Sequence, residues 1–465
     1  MEQKEKVLTD SGNNPVWLKF LPRHIQARIE ASETVKRSIT NVSWLFFEKL
    51  LRLFVGLFVF VWLARYLGPT QFGVLNYAIA FVALLSAFSN LGLDAVVVKG
   101  FVERRTSRGV LFGTATTLRF LGGTVAMLGA IGLIGVVQSD NAQIRMFVAI
   151  LSFGLVLKST ETIKNWFESE VMSKYVVWVE NAAFLAGSLA RVLMIWSEQP
   201  LMMFVWVLLA ENLLIALGLF LAYLLRGGLP EKWMINLSLA KTLLRESWPL
   251  ALTNFTAMIY MRIDQIMLGH MMGNESVGTY SAAVRVSELW YFVPIAIVST
   301  LFPSILRIKQ ENETLYRQRL QQLYDLVVLL ALVFALVISG VAGWLIEVLF
   351  ESAYAEAGGL LAIHVWAGVF VAMGVARSNW LVAENYQLYG FYCTLAGAVI
   401  NIIGNYFLIP LMGGYGAAVA TLLSMVCIIL IVPLFIPEIR ESTYMLVRAM
   451  NPVRGATGLR AIFSR

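Results

Sequence analysis

Reactive and metal-binding side chains are scarce in this sequence of 465 residues. It contains two cysteines, Cys393 and Cys427, and three histidines, His24, His270 and His364. Two cysteines within apolar runs cannot form a disulfide framework, and neither they nor the histidines have the spacing of metal ligands. Charged residues make up 14% of the chain, against roughly 25% in soluble domains. The sequence therefore lacks the usual residues of a thiol or metal active site.

Apolar residues are abundant along the whole chain. They make up 58% of it, and the mean hydropathy is +0.73. Long apolar runs without strand-like alternation predict membrane-spanning helices, because a helix satisfies its own backbone hydrogen bonds in lipid. We predict about twelve spans, several near the roughly 20 residues a bilayer requires. They cover residues 41–64, 73–97, 111–137, 144–157, 178–197, 201–225, 248–271, 280–305, 323–349, 360–383, 388–409 and 416–437. The short fourth span is expected to extend beyond Leu157.

Lysine and arginine are distributed unevenly between the two sides of these spans. Only Arg65 and Arg145, the latter at the first turn of span four, lie on the predicted external side, whereas the alternate loops and both tails are basic. Because cytoplasmic loops retain positive charge, this pattern places both termini in the cytoplasm of an inner-membrane, multi-pass protein. The net charge of +7 follows the same loops, where anionic lipid attracts it, so it does not indicate nucleic-acid binding.

A hydrophilic connection at the midpoint divides the chain into two halves. We predict a basic cytoplasmic tail over 1–40, with an amphipathic stretch at residues 17–29 that suits the inner leaflet. A six-helix bundle then covers 41–225, a cytoplasmic linker 226–247, a second six-helix bundle 248–437, and a basic tail 438–465. Twelve spans suffice for a monomeric transporter.

A weak internal repeat supports this division. The pattern R-Y-L-G, F-G and N-Y-A within residues 65–78 is echoed by M-L-G, V-G and Y-S-A within residues 267–282. A further echo, G-G-Y-G-A-A, begins at Gly413. Glycine permits tight turns and close helix contacts, and duplicated halves are common in transporters, although glycine in short turns is not unusual.

Apart from Arg145 and Asp325, which stand at the first turns of their spans, fourteen charged residues lie inside the predicted spans. A charge at the bilayer centre costs about 2.5–3.5 kcal/mol, so such residues usually face a cavity or a partner. The cations are Lys49, Arg52, Arg119, Arg191, Arg262, Arg285 and Arg377, and the acids are Glu48, Asp94, Glu180, Glu211, Asp264, Glu288 and Glu347.

Helical spacing pairs some of these charges. Glu48 with Arg52, and Arg285 with Glu288, share a helix face and can form intrahelical ion pairs. Arg377 can extend to the cytoplasmic surface towards Glu384. Arg119 and Arg191 have no acid within two turns. Among the cations, Arg52, Arg119 and Arg262 are the strongest candidates to line a central cavity, with interhelical pairing as the alternative.

Arginine in a cavity suits a phosphate headgroup, because guanidinium forms bidentate contacts with phosphate oxygens. The predicted substrate-binding residues are Lys49, Arg52, Arg119, Arg262, Arg285, Arg377 and Asn254. The acids Asp264, Glu211 and Glu48 are the predicted sites for a coupling proton or Na⁺. We expect no metal and no cofactor apart from the ion gradient.

The turn at residues 65–73 (RYLGPTQFG), continuing to residues 88–94 (FSNLGLD), resembles the beginning of bacterial O-antigen and polysaccharide flippases. Residues 264–269 (DQIMLG) and 277–280 (VGTY) are similar to their seventh span and the turn after it. Residues 413–418 resemble their late glycine-alanine element. The resemblance covers roughly residues 36–437 and points to the polysaccharide branch of the multidrug/oligosaccharidyl-lipid/polysaccharide (MOP) exporter superfamily.

This resemblance implies two six-helix bundles around a central cavity that opens to each side in turn. It implies transport of an undecaprenyl-diphosphate-linked oligosaccharide to the outer leaflet, driven by a proton or Na⁺ gradient. The cavity cations of that family correspond here to Lys49 or Arg52, and to Arg262, although the nearby Glu48, Asp264 and Glu288 depart from its pattern. Membrane lipids are expected contacts, and a polysaccharide polymerase and glycosyltransferases are candidate partners.

Other functions remain open at this point. A drug or cation exporter of the same superfamily would need an acidic cavity with few cations. A lipid II flippase often has two more spans. An O-antigen polymerase or ligase, which would be an enzyme, usually needs a large external loop, and the external loops here have about ten residues at most. A non-enzymatic lipid-linked oligosaccharide flippase fits best.

Overall fold

A computed structural model of the protein describes residues 33–104, 106–226, 232–309 and 311–451, and the side chains from residue 51 onward. This part of the chain is helical nearly throughout and contains no strand. The predicted all-α fold is therefore confirmed. The described residues fall into two compact units divided between Phe58 and Val59, and every contact given below lies within the second unit. The predicted amphipathic stretch at residues 17–29 lies outside the described residues.

The first half of the described chain contains seven helices. They are α1 (Glu33–Asn90), α2 (Leu93–Glu103), α3 (Arg108–Val137), α4 (Ala142–Leu157), α5 (Glu161–Ser169), α6 (Ser173–Trp196) and α7 (Leu201–Arg226). Helix α1 includes predicted spans one and two, which are separated at Gly68, where the backbone has φ 69° and ψ 167°. As predicted, the fourth span extends past Leu157, through a 3₁₀ turn at Lys158–Thr160 into α5.

The second half contains nine helices. They are α8 (Leu237–Met271), α9 (Asn274–Glu288), α10 (Phe292–Lys309), α11 (Glu313–Phe350), α12 (Glu356–Ala383), α13 (Gln387–Met412), α14 (Gly414–Val426), α15 (Val432–Leu434) and α16 (Pro437–Ala449). A 3₁₀ turn at Leu289–Tyr291 joins α9 to α10, and a π-helix at Cys427–Ile431 joins α14 to α15.

Ten helical segments of the described chain are long and apolar enough to cross a membrane. One of them, Leu51–Glu103, contains two predicted spans. Helix α8 is not among the ten, because polar residues such as Arg262, Asp264 and Gln265 reduce its hydropathy. Counting α8 and both parts of Leu51–Glu103 accounts for all twelve predicted spans, and the chain is a multi-pass membrane protein.

Neighbouring helices pack mainly as sequential pairs. Helix α3 contacts α4, α6 contacts α7, α11 contacts α12, and α13 contacts α14. Helices α2 and α3 from the first half also contact α8 from the second. The predicted tail at 438–465 is helical in its first part, because α16 buries Ile439, Leu446 and Ala449 while it lies along α11.

Candidate functional site

Two of the cations predicted to bind substrate, Arg262 on α8 and Arg285 on α9, form no ion pair with an acid whose side chain the structure describes. Arg262 is half-buried, and Arg285 is exposed with its guanidinium carbon 5.3 Å from the centre of the Phe60 ring. Neither forms an ion pair or a hydrogen bond with any residue in the described ranges. The two charges interact with each other, and Glu288 influences Arg285 without forming the ion pair that the spacing allowed.

Unpaired guanidinium groups in membrane helices are unfavourable unless water or a ligand solvates them. Each guanidinium presents a fixed fork of N–H donors that matches phosphate oxygens. Arg262 and Arg285 lie on consecutive helices, α8 and α9. Together they can stabilise a ligand that carries two neighbouring negative charges.

Arg119, in contrast, is paired inside the first half. Its side chain is 1% exposed and lies 2.7 Å from Asp94 and 3.8 Å from Glu161. Asn90 and Asn165 also donate hydrogen bonds to the Asp94 carboxylate, at 2.5 and 3.4 Å. Both acids come from other helices, so they lie more than two turns from Arg119 in the sequence.

Glu211 on α7 forms an ion pair with Arg191 on α6. Arg191 had no acid on its own helix face, and its partner again comes from a neighbouring helix. Glu211 was predicted as a coupling acid, and in this structure it neutralises Arg191. A coupling role for Glu211 would require this pair to separate during transport.

Arg377 on α12 is buried, and it does not extend to the cytoplasmic surface as expected. It donates hydrogen bonds of 2.9 Å to the carbonyl oxygens of Ile428 and Ile429 in the π-helix. Glu384, its expected partner, instead accepts hydrogen bonds from Lys309 at 2.8 Å and from Tyr316 at 3.2 Å. Pro433 lies five residues after Ile428 and four after Ile429, and it has no backbone N–H to donate to either carbonyl, so Arg377 supplies the donors that the helix lacks there.

Asp264 on α8 is the centre of a buried polar network. Its Oδ2 accepts a hydrogen bond from the Tyr280 hydroxyl at 2.5 Å, and its Oδ1 accepts one from the backbone N–H of Gln265 at 2.7 Å. Tyr280 also interacts with Thr421 on α14. A buried acid with this many polar neighbours can hold a proton or a cation.

The network continues onto α13. Asn401 donates to Thr421 at 3.4 Å, and Asn405 donates to Asn401 at 3.1 Å, as their i,i+4 spacing allows. The Oδ1 atom of Asn405 is buried without a hydrogen-bond partner in the described structure. Tyr280 and Thr421 were not predicted as site residues. Tyr280 appeared in the internal repeat and in a resemblance motif without a role, and nothing in the sequence marks Thr421.

The remaining predicted residues are described in part. Asn254 is exposed on α8. Arg52 is half-buried and has an interaction partner. Lys49 and Glu48 lie on α1, but outside the residues whose side chains are described. The contribution of these four residues to a cavity therefore stays a prediction.

A cavity of about 400 Å³ lies among α8, α12, α13 and the π-helix. Its lining includes Tyr260, Arg377 and Gln387. Tyr260 lies one helical turn from Asp264, and Gln387 begins α13 at the cytoplasmic side. The cavity therefore extends from the N-terminal end of α13 to the helix turn next to Asp264.

Two family models match the sequence. The model described as "Polysaccharide biosynthesis protein" matches residues 38–309, and the model described as "MatE" matches residues 249–407. Among curated proteins, the "Probable flippase AglR" of Haloferax volcanii is 26% identical over 390 residues, which cover 80% of this chain and 78% of that protein. The "Probable low-salt glycan biosynthesis flippase Agl15" of the same organism is 24% identical, covering 80% and 77%.

Solved structures with a similar fold include a lipid flippase and a MATE family transporter. An inward closed conformation of the lipid II flippase MurJ superposes with a TM-score of 0.65 at 12% identity, covering 89% of this chain and 95% of that one. An inward-facing MATE family transporter of the MOP superfamily has a TM-score of 0.64 at 11% identity, covering 88% and 94%. These similarities confirm the two-lobe helical transporter fold.

Proposed function

This chain belongs to the polysaccharide biosynthesis protein family, and we propose that it flips a lipid-linked oligosaccharide from the cytoplasmic to the outer leaflet of the inner membrane. Its membership in the MOP superfamily is consistent with a transporter rather than an enzyme. The names of its relatives AglR and Agl15 support a flippase of glycans. The carrier we propose is undecaprenyl diphosphate, linked to a repeat unit of O-antigen or another surface polysaccharide.

The guanidiniums of Arg262 and Arg285, which form no ion pair or hydrogen bond with the side chains described from residue 51 onward, are the observation that best supports this cargo. The other membrane arginines with described side chains have partners, from Arg52 to Arg377. A diphosphate carries adjacent negative charges, and bidentate arginine contacts are among the strongest hydrogen bonds available to it. The same two cations would repel a cationic drug, so the match to the MatE model does not lead us to propose a cation exporter.

We further propose that Asp264 couples transport to a proton or Na⁺ gradient. Its carboxylate has hydrogen-bond donors on two sides, and hydroxyl and amide oxygens of Thr421, Asn401 and Asn405 lie further along the network. Oxygen ligands of this kind suit a hard cation. The cavity next to Tyr260 would give the ion a route to the cytoplasm.

In this proposal the coupling ion and the lipid diphosphate bind to side chains of the same helix, α8. Arg262 and Asp264 are two residues apart on α8, so they point in different directions. Arg262 can bind the diphosphate while Asp264 serves the polar network. Binding of a proton or Na⁺ to Asp264 would then change the electrostatic potential at the diphosphate site, and this change couples the two binding events.

Deletion of the gene tests the proposed function. The lipid-linked sugars on each face of the inner membrane are measured in the deletion strain and after complementation. Intact oligosaccharide-diphosphate-lipid that accumulates on the cytoplasmic face, with no surface polymer, is the expected result. Single repeat units on the outer face would indicate a polymerase instead, and unchanged pools would contradict a role in glycan transport.

A further inference from the structure

Helix α1, just after its kink at Gly68, crosses the N-terminal turn of α9 at two glycines. A Cβ atom added to Gly73 would collide with the backbone carbonyl of Asn274, and one added to Gly278 would collide with the carbonyl of Pro69. Gly73 lies four residues after Pro69, and Gly278 likewise lies four residues after Asn274. The two contacts are therefore reciprocal, each half of the chain offering a glycine to the carbonyl of the other.

The turns before these glycines are also equivalent. Gly68 has φ 69° and ψ 167°, and Gly273 has φ 91° and ψ 177°. Both lie at positive φ, which glycine adopts without steric cost. Gly68 therefore corresponds to Gly273 and not to Gly269, which the sequence echo aligned with it. The two copies of the internal repeat meet each other at this crossing.

Arg65 ties the same region to the end of α11. Its Nε donates to the carbonyl oxygen of Leu349 at 2.7 Å, its Nη2 donates to that of Val348 at 2.5 Å, and its Nη1 lies 3.3 Å from Glu351. The last carbonyls of a helix lack partners within the helix and carry partial negative charge, so a cation stabilises them. The Tyr354 hydroxyl adds a hydrogen bond to the Ala64 carbonyl at 2.7 Å.

These contacts join the two halves and could separate reversibly. Glycine allows close approach without interlocking side chains at Gly73 and Gly278. The Arg65 and Glu351 side chains are 36% and 65% exposed, and ion pairs exposed to water contribute only about 0–1 kcal/mol. Contacts that are close but contribute little free energy can form and break as a transporter changes conformation.

We propose that the crossing of Gly73 and Gly278, with Arg65 as its latch, is the external gate of the transport cycle. This inference rests on the proposed function, because release to the outer leaflet by alternating access requires the external side to open. In the described state Arg65 holds the gate closed. Opening it breaks the contacts of Arg65 with α11 and separates Gly73 from Asn274.

Cysteine accessibility tests the gate directly. In a Cys393→Ser, Cys427→Ser background, Thr279→Cys reports on the gate, because Thr279 is 5% exposed and follows Gly278. Labelling from outside with a membrane-impermeant maleimide is measured in intact cells. Gly73→Val should raise labelling roughly tenfold, because overpacking a tight contact costs about 1–3 kcal/mol and 1.4 kcal/mol is tenfold. Gly132→Val is the control, since no atom lies near its added Cβ.

Arg65→Ala is the second variant, because it removes the latch without overpacking the crossing. It should also raise labelling at Thr279→Cys, and cross-linking Arg65→Cys to Glu351→Cys with a short bismaleimide should abolish flipping. Labelling that stays at the wild-type level in both Gly73→Val and Arg65→Ala would overturn the gate. Increased labelling with unchanged lipid-linked glycan pools would instead retain the gate and contradict the flippase.

Discussion

Tyr280 on α9 donates its hydroxyl hydrogen to the Oδ2 atom of Asp264 on α8 over 2.5 Å. Asp264 is 3% exposed and Tyr280 is fully buried. Helix α9 also carries Gly278, one of the two crossing glycines. A change in the charge of Asp264 therefore acts on a hydrogen bond to the helix that forms the external crossing, which provides a physical link between ion binding and gate position.

Replacing Asp264 with asparagine should remove the dependence of transport on the ion gradient. Asparagine keeps the shape of the side chain but cannot take up the proton or provide the charge for Na⁺. Flipping is measured in vesicles with and without an imposed pH or Na⁺ gradient. Glu211→Gln is the comparison, because Glu211 is paired with Arg191, and we expect that variant to remain gradient-dependent. A gradient response retained in Asp264→Asn but lost in Glu211→Gln would assign coupling to Glu211.

Arg377→Met should destabilise the protein. The substitution keeps much of the volume but leaves the buried carbonyls of Ile428 and Ile429 without donors, at about 1–3 kcal/mol for each unsatisfied group. The melting temperature in detergent is the measurement. Arg317→Met is the matched control, since Arg317 is 54% exposed and exposed ion pairs contribute about 0–1 kcal/mol. Equal melting temperatures for the two variants would rule out a structural role for Arg377.

Asp94→Ala should lower the melting temperature more than Arg119→Met. The Arg119 side chain is 1% exposed, so loss of Asp94 leaves a buried charge that only Glu161 partly balances, at about 3–5 kcal/mol. The Asp94 side chain is 51% exposed, and water can solvate it when Arg119 is replaced. The reverse order of melting temperatures would show that Arg119 has another ligand, in favour of the cavity role predicted from the sequence.

The helical architecture could be predicted from the sequence because lipid imposes strong rules on it. Hydropathy located the spans, including the extension beyond Leu157. The division into two six-helix bundles stays a prediction, whereas the glycines Gly73 and Gly278 of the internal repeat do meet in the structure. The sequence alignment of the two repeat copies was wrong at one point. The glycine equivalent to Gly68 is Gly273, which also has a positive φ, and backbone angles cannot be derived from residue types alone.

Partners between helices could not be predicted. Spacing identifies neighbours on one helix face, whereas the acids beside Arg119 and Arg191 come from other helices. The same limit concealed Thr421 in the Asp264 network and the π-helix carbonyls that Arg377 binds. Whether a membrane cation faces a ligand or an acid depends on packing between helices, which sequence periodicity does not report.

Reconstituted flipping of an oligosaccharide-diphosphate-lipid tests the central claim most directly. Purified wild-type protein, Arg262→Ala, Arg285→Ala and the control Arg319→Ala are compared in proteoliposomes, with melting temperatures to confirm folding. Arg319 contacts Gln322 at the cytoplasmic end of α11 and should be dispensable. We expect wild type and Arg319→Ala to flip the lipid, and both site variants to lose at least about tenfold in rate, the equivalent of one charge-assisted hydrogen bond. Folded Arg262→Ala and Arg285→Ala proteins that flip at the wild-type rate would contradict the account.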